Sequence, residues 1–243
     1  MKLAALPLAA LALTLAACAN EDIDTDITDL ESANSDGEAA AMAQALPAGD
    51  FMDLELGAKI IGPQGDEVVS RMTNAEGAFA DIRSYVACPA SMDPCDPANA
   101  PEGTVYTYVH VVHPGEDNDP DTGSGEGNDS SDVEIADNFR MTMPSHGFTG
   151  TAVYSKAEAL AAVGPEVDVV MVCHEGGLSW TIEAGDGGDQ WEQAEPLTFY
   201  WQSTLLPSGP AQAYEIFANR AAAQGNGPYP AADETVPNAC AAG

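Results

Sequence analysis

Three aspartates at alternate positions form the densest group of ligand-type side chains in the sequence. Asp117, Asp119 and Asp121 lie in a long acidic, glycine-rich segment, 114–132. Carboxylates at alternate positions of a turn converge on a hard cation in Asp-rich calcium loops. The order differs from that of an EF-hand, because Thr122 stands at the sixth position where glycine is required. The segment is therefore interpreted either as a looser calcium site or as a solvated acidic loop.

The histidines do not form a metal-binding pattern. They are His110, His113, His146 and His174. His110 and His113 lie three residues apart in a predicted strand, where side chains alternate between faces, so they point to opposite sides. Zinc-like cysteine spacing such as Cys-x₂-Cys is also absent from the sequence. The expectation from the sequence is therefore no cofactor, with calcium as the one alternative.

Nucleophilic catalysis is not indicated either. Gly123-Ser124-Gly125 lacks the Gly-x-Ser-x-Gly frame of a nucleophile elbow. Ser145 and His146 are adjacent, which suits a turn better than a catalytic triad. The sequence favours a protein that is not an enzyme.

The cysteines suggest lipid attachment and disulfide bonding. Cys18 ends an apolar N-terminal run, and four cysteines remain, Cys88, Cys95, Cys173 and Cys240. Four cysteines allow three pairings. A bridge between Cys88 and Cys95 would close a short turn-rich loop, and one between Cys173 and Cys240 would tie the C-terminal segment to a strand. The alternative is that some of them remain free thiols.

The apolar run has the length of a secretory signal. Residues 3–17 are apolar apart from Thr14, and such a run is too short for an ordinary transmembrane helix. Its end, Leu15-Ala16-Ala17-Cys18, resembles the lipobox of bacterial lipoproteins. The resemblance covers about the first twenty residues. The alternative is an ordinary signal peptide, with Ala17-Cys18-Ala19 as a small-x-small cleavage site.

The lipoprotein resemblance implies a location. In that family the thiol of the cysteine carries a diacylglycerol, cleavage occurs before it, and the new amine is often acylated. Two chains suffice for stable membrane anchoring where one does not. Asp directly after the cysteine favours inner-membrane retention in this family, whereas Ala19-Asn20 follows here. The expected location is the cell envelope, anchored in the outer membrane.

The charge excludes one class of partner. The chain has 39 acidic residues against 7 lysines and arginines, and its formal net charge is −32. Such a chain cannot neutralise phosphates, so nucleic acid is an implausible partner. Because the acids are spread along the whole sequence, surface solvation is favoured over cation binding as their main role.

The sequence divides into four segments. Residues 1–17 are the predicted signal peptide, and 18–50 form a lipidated, acidic, disordered tether. Residues 51–220 are predicted to form a single β-sandwich domain, which includes the acidic loop, and 221–243 an Ala/Gly/Pro-rich C-terminal tail.

Short strands separated by Gly/Pro/Asn turns predict the fold. We expect an all-β, immunoglobulin-like antiparallel β-sandwich of about nine or ten strands with one short helix. In the clearest strand, 105–113, the face carrying Val109 is expected in the core. The opposite face, with Tyr106, Tyr108 and His110, is expected either under a neighbouring segment or exposed as a recognition stripe.

A second, weaker resemblance concerns the start of the domain. Thr73-Asn74-Ala75-Glu76-Gly77-Ala78-Phe79, after a strand and a Pro-Gln-Gly turn, is similar to carboxypeptidase-regulatory-like β-sandwich modules of envelope proteins. The expected function is that of a lipid-anchored envelope protein, a non-enzymatic structural or interaction module with an unidentified protein or envelope partner. The alternative is a calcium-binding adhesion or recognition domain.

Overall fold

The predicted all-β antiparallel sandwich with one short helix is confirmed. The computed structural model describes residues 44–46, 49–75, 79–115, 133–193 and 195–241. Within these ranges two sheets of antiparallel strands pack on each other. The α-helix has seven residues, and no helix in these ranges is long and apolar enough to cross a bilayer.

Twelve strands and one helix make up the described fold. The strands are β1 (Gln44–Ala45), β2 (Leu56–Lys59), β3 (Val68–Thr73), β4 (Phe79–Pro89), β5 (Tyr106–Pro114), β6 (Ala136–Met141), β7 (Phe148–Tyr154), β8 (Asp168–His174), β9 (Gly177–Glu183), β10 (Leu197–Ser203), β11 (Pro207–Ala218) and β12 (Ala221–Pro230). The helix α1 spans Lys156–Ala162, and short 3₁₀ turns occur at Phe51–Asp53 and Pro97–Asn99. Sheet I has the order β1-β8-β9-β6-β11-β12; sheet II has the order β2-β4-β5-β10-β7, and β3 also pairs with β4.

Local sequence signals explain the hairpin and the helix. The turn between β8 and β9 consists of Glu175 and Gly176, both with positive φ, as a two-residue hairpin turn requires. Ser155 caps α1 by accepting a hydrogen bond from the backbone N–H of Glu158, 3.3 Å away. Both features follow the spacing of turn and capping residues in the sequence.

The core between the sheets lies on the aromatic face of β5, opposite to the face that the sequence suggested. Tyr108 and His110 are fully buried between the sheets, where Tyr108 stacks on Trp201 with ring centroids 4.5 Å apart. Val109, on the other face, is buried too, but in a smaller cluster beneath Leu54 and neighbouring residues. Both faces of β5 are buried because the chain segment that contains Leu54 covers the outside of sheet II.

Strand β12 occupies part of the segment that the sequence indicated as a tail. It pairs with β11 over its whole length. A Cβ atom at Gly225 would lie 2.6 Å from Cγ of Met72, and one at Gly227 would lie 2.5 Å from the ring of Tyr214. Glycine is therefore required here for close packing, although its abundance is typical of segments without regular structure.

Both ends of the described chain close one side of the sandwich. On the N-terminal side β1 pairs with β8 of sheet I, and Asp50 forms a parallel bridge with Tyr154 of sheet II. On the C-terminal side the N–H of Ala239 bonds to the carbonyl of Phe148 in β7. Such covered edges are protected from pairing with other chains.

Both predicted disulfides are present. Cys88 is bonded to Cys95, and Cys173 to Cys240. The second bridge ties the C-terminal segment to β8, so that this segment links strands of the two sheets. All four cysteines of the described domain are thereby oxidised.

Candidate functional site

A buried hydrogen-bonded group joins a serine, a histidine and a tryptophan inside the sandwich. Oγ of Ser84 lies 2.8 Å from Nδ1 of His110, and the indole N–H of Trp201 points to Nε2 of His110 across 3.3 Å. Burial lowers the pKa of His110 to about 3. The imidazole is therefore neutral at physiological pH.

The direction of these hydrogen bonds indicates a structural role for Ser84, His110 and Trp201. A tryptophan N–H is only a donor, so Nε2 of His110 accepts, and the proton of the neutral ring is on Nδ1. Nδ1 then donates to Ser84, which means that it cannot take a proton from the hydroxyl as a general base does. Neither Ser84 nor His110 is exposed. The geometry gives no basis for nucleophilic catalysis at this serine.

Several of the residues that the sequence singled out for binding cannot be compared with this group. Cys18, Asp117, Asp119 and Asp121 are outside the described residues. Of the remaining histidines, His146 packs edge-on against Tyr229, and His174 is exposed at the end of β8. In the ranges that the structure describes, no group of three His, Cys, Asp or Glu side chains is placed to hold a metal ion.

The outer face of sheet I carries polar side chains in a regular arrangement. The register aligns one residue from each of five neighbouring strands in a row across this face: Val172, Ser179, Arg140, Glu215 and Gln224. A second row contains Val170, Thr181, Asn138, Phe217 and Ala222. We call these two rows the polar face.

An ion pair fixes the centre of the polar face. Nε and Nη2 of Arg140 contact Oε1 of Glu215 at 2.7 and 2.5 Å, and Gln224 donates to Oε2 of Glu215 across 3.2 Å. The side chain of Glu215 is only 8% exposed, whereas that of Arg140 is 41% exposed. A carboxylate bonded from both sides holds the guanidinium in one orientation and leaves part of it facing solvent.

An asparagine fixes the second row. Nδ2 of Asn138 lies 2.8 Å from Oγ of Ser179, 3.0 Å from Oγ1 of Thr181 and 3.0 Å from the carbonyl of Trp180. The amide group thus points toward β9, and its Oδ1 atom is not used in these bonds. The side chains of Asn138, Ser179 and Thr181 thus hold one another in place, and some of their hydrogen-bonding groups remain unused in these bonds.

The polar face contains a shallow depression of about 400 Å³. Its lining combines polar groups with apolar ones, and it is formed by Asn138, Arg140, Val172, His174, Ser179, Phe217 and Ala222. Phe217 is 38% exposed and lies beside the small side chain of Ala222, its cross-strand partner. A mixed depression with few, fixed polar groups is the usual composition of a ligand site.

Sequence reasoning missed every residue of this face. A local signal exists, because Asn138 and Arg140, Ser179 and Thr181, and Glu215 and Phe217 each stand two apart, and each pair therefore shares one face of its strand. The order of the strands in the sheet, however, cannot be deduced from short stretches of the sequence. Neighbours such as β6 and β11 are far apart along the chain, so their side chains could not be assigned to one row.

Comparisons with known proteins give no functional clue, so the interpretation depends on the geometry described above. No family model matches the chain, and no curated protein or solved structure matches it either. The polar face is the candidate functional site, because its register and hydrogen bonds hold its side chains in place and because it contains a depression.

Proposed function

We propose that the chain is a lipid-anchored envelope protein whose sandwich is a non-enzymatic interaction module. The single observation that carries the interaction role is the pre-ordered polar face, in which the Arg140–Glu215 pair and the bonds of Asn138 hold side chains ready for a ligand. Pre-ordered groups lose little conformational entropy on binding. The buried Ser84–His110 pair offers no competing catalytic arrangement.

The location in the envelope is supported by the cysteines. The lipobox-like Leu15-Ala16-Ala17-Cys18 supplies the attachment point for lipid. The two disulfides of the domain are of the kind that persists in oxidising compartments such as the periplasm or the cell surface. The chain between Cys18 and Gln44 can span at most about 90 Å, which sets the reach of the domain from the membrane.

Metabolic labelling with a clickable fatty acid tests the anchor. The chain should be labelled, and Cys18→Ser should lose the label and leave the membrane fraction. Cys88→Ser is the matched control, because it removes a cysteine that is not at the lipobox, and it should keep the label. A chain without label, or label that survives Cys18→Ser, would contradict the lipid anchor.

The acidic segment gives a second candidate function, calcium binding by Asp117, Asp119 and Asp121. The observation that favours it is the alternate spacing of the three carboxylates. The segment joins β5 of sheet II to β6 of sheet I, so a bound cation there would act on the connection between the sheets.

A further inference from the structure

We propose that the polar face of sheet I binds an uncharged oligosaccharide, with one sugar ring against Phe217 and its hydroxyl groups bonded by Arg140 and Asn138. This inference rests on the proposed interaction role and names its ligand class. It follows from the hydrogen-bonding capacity of the face, its charge and its exposed ring, which are three separate observations.

The face offers both donors and acceptors in fixed positions. The ion pair with Glu215 uses Nε and Nη2 of Arg140, which leaves the N–H groups of Nη1 as donors on a side chain that is 41% exposed. Asn138 uses its N–H groups within the face, so its Oδ1 is an acceptor. Since Ser179 and Thr181 accept from Asn138, their own hydroxyl protons are directed elsewhere. Sugar hydroxyls both donate and accept, which matches this alternation.

The charge of the face favours an uncharged ligand. The positive charge of Arg140 is compensated by Glu215 at hydrogen-bonding distance, so the centre of the face is neutral. A polyanionic glycan would be repelled by the net charge of −32. A cationic ligand would find the carboxylate of Glu215 almost fully buried and already bonded to two partners.

The apolar part of the face suits the C–H side of a sugar ring. Phe217 is 38% exposed, and its cross-strand neighbour Ala222 is too small to cover it. Weak C–H contacts with an aromatic face add to apolar burial when the ring is flat against it. The depression of about 400 Å³ lies in the range of about 300–1,000 Å³ that is usual for small-ligand sites.

Calorimetric titration with a panel of uncharged oligosaccharides tests the inference. The protein is the lipidated full chain in a detergent without a sugar headgroup, since such a headgroup would compete. The probes are cellohexaose, maltohexaose, chitohexaose and mannohexaose, with a heparin hexasaccharide as the charged comparison. At least one uncharged probe should bind saturably, with a dissociation constant at or below about 1 mM, and the heparin fragment should not bind.

Two variants locate the binding on the polar face. Phe217→Ala removes the exposed ring, and Arg140→Gln removes the Nη1 donors; each should weaken binding at least about tenfold. Leu160→Ala and Arg83→Gln are matched controls, because Leu160 is an exposed apolar residue on α1 and Arg83 is an exposed, ion-paired arginine on sheet II. Both controls should bind as the unchanged chain does.

The outcomes separate this inference from the proposed function. Binding of no probe, or binding that Phe217→Ala and Arg140→Gln leave unchanged, would overturn the oligosaccharide site. Phe217→Ala removes an exposed side chain and is therefore expected to fold, so it decides even where Arg140→Gln does not fold. Failure of fatty-acid labelling would overturn the envelope anchor and leave the titration result unaffected.

Discussion

The indole N–H of Trp201 donates to Nε2 of His110 across 3.3 Å in the centre of the sandwich. Because the donor fixes the tautomer, Nδ1 of His110 carries the proton and donates in turn to Ser84. The bonds link β10, β5 and β4, three neighbouring strands of sheet II. A Ser–His pair that resembles part of a catalytic triad is thus a fixed core element.

The first prediction concerns the pH dependence of stability. Burial lowers the pKa of His110 to about 3, below its usual value of 6.5. Between these values the unfolded chain binds one more proton at this residue, so the stability is complete above pH 6.5 and falls as the pH is lowered. The contribution of His110 to the slope should be about 1.4 kcal/mol per pH unit in this window.

Urea unfolding between pH 7 and pH 4 measures this slope. His110→Gln should lower the slope by the contribution of one proton, whatever it does to the stability at pH 7. If His110→Gln and the unchanged chain have the same slope, His110 is not buried in its neutral form.

The second prediction concerns the two disulfides. The Cys173–Cys240 bridge closes a loop with a sequence separation of 67, and the Cys88–Cys95 bridge one of 7. Loop-closure entropy predicts losses of about 4 and about 2.5 kcal/mol when each bridge is removed. Urea unfolding of the double variants Cys173→Ser/Cys240→Ser and Cys88→Ser/Cys95→Ser should give the larger loss for the first. The opposite order would contradict an important role of the C-terminal segment in closing the sandwich.

The third prediction concerns salt. Asp168 and Glu183 are exposed and lie directly opposite each other on β8 and β9, where like charges repel. Salt screens such repulsion and that of the whole acidic surface, so the melting temperature should rise with sodium chloride. Asp168→Asn should raise the melting temperature by about 1–2 °C at low salt and by less at high salt. An equal rise at both concentrations would show that repulsion between these carboxylates is not the cause.

The fourth prediction concerns calcium. If Asp117, Asp119 and Asp121 hold a cation, calorimetric titration should give saturable heat at millimolar calcium or below, as for extracellular calcium modules. The double variant Asp119→Ala/Asp121→Ala should abolish it. A matched control is Asp186→Ala/Asp189→Ala, which removes two exposed carboxylates of another turn. No heat, or equal heat in both variants, would leave the segment with a solvating role.

Local patterns predicted what depends on neighbours along the chain. The two disulfide pairings and the single short helix were expected from the sequence, and the structure contains them. The β8–β9 turn and the cap of α1 at Ser155 are likewise explained by residues close together in the chain. About nine or ten strands were also expected, and the described residues contain twelve. The fold class is thus encoded in features that need no knowledge of the topology.

The remaining features depend on contacts between distant segments. The Gly/Pro-rich β12 has no strand-like composition, and it forms because Met72 and Tyr214 pack closely on Gly225 and Gly227. The side of β5 that faces the main core was misjudged because a segment from the N-terminal side covers the other face. The polar face requires the order β8-β9-β6-β11-β12, which no single strand reveals.

Photo-crosslinking in the cells that make the protein tests whether the chain acts by binding through the polar face. A photoreactive amino acid at Ala222 leaves Phe217 and Arg140 unchanged and lies in the depression. One at Leu160, exposed on α1, is the control. We expect a discrete adduct only from position 222, which disappears when Phe217→Ala is added and stains as carbohydrate. No adduct from position 222, or the same adducts from both positions, would contradict the claim.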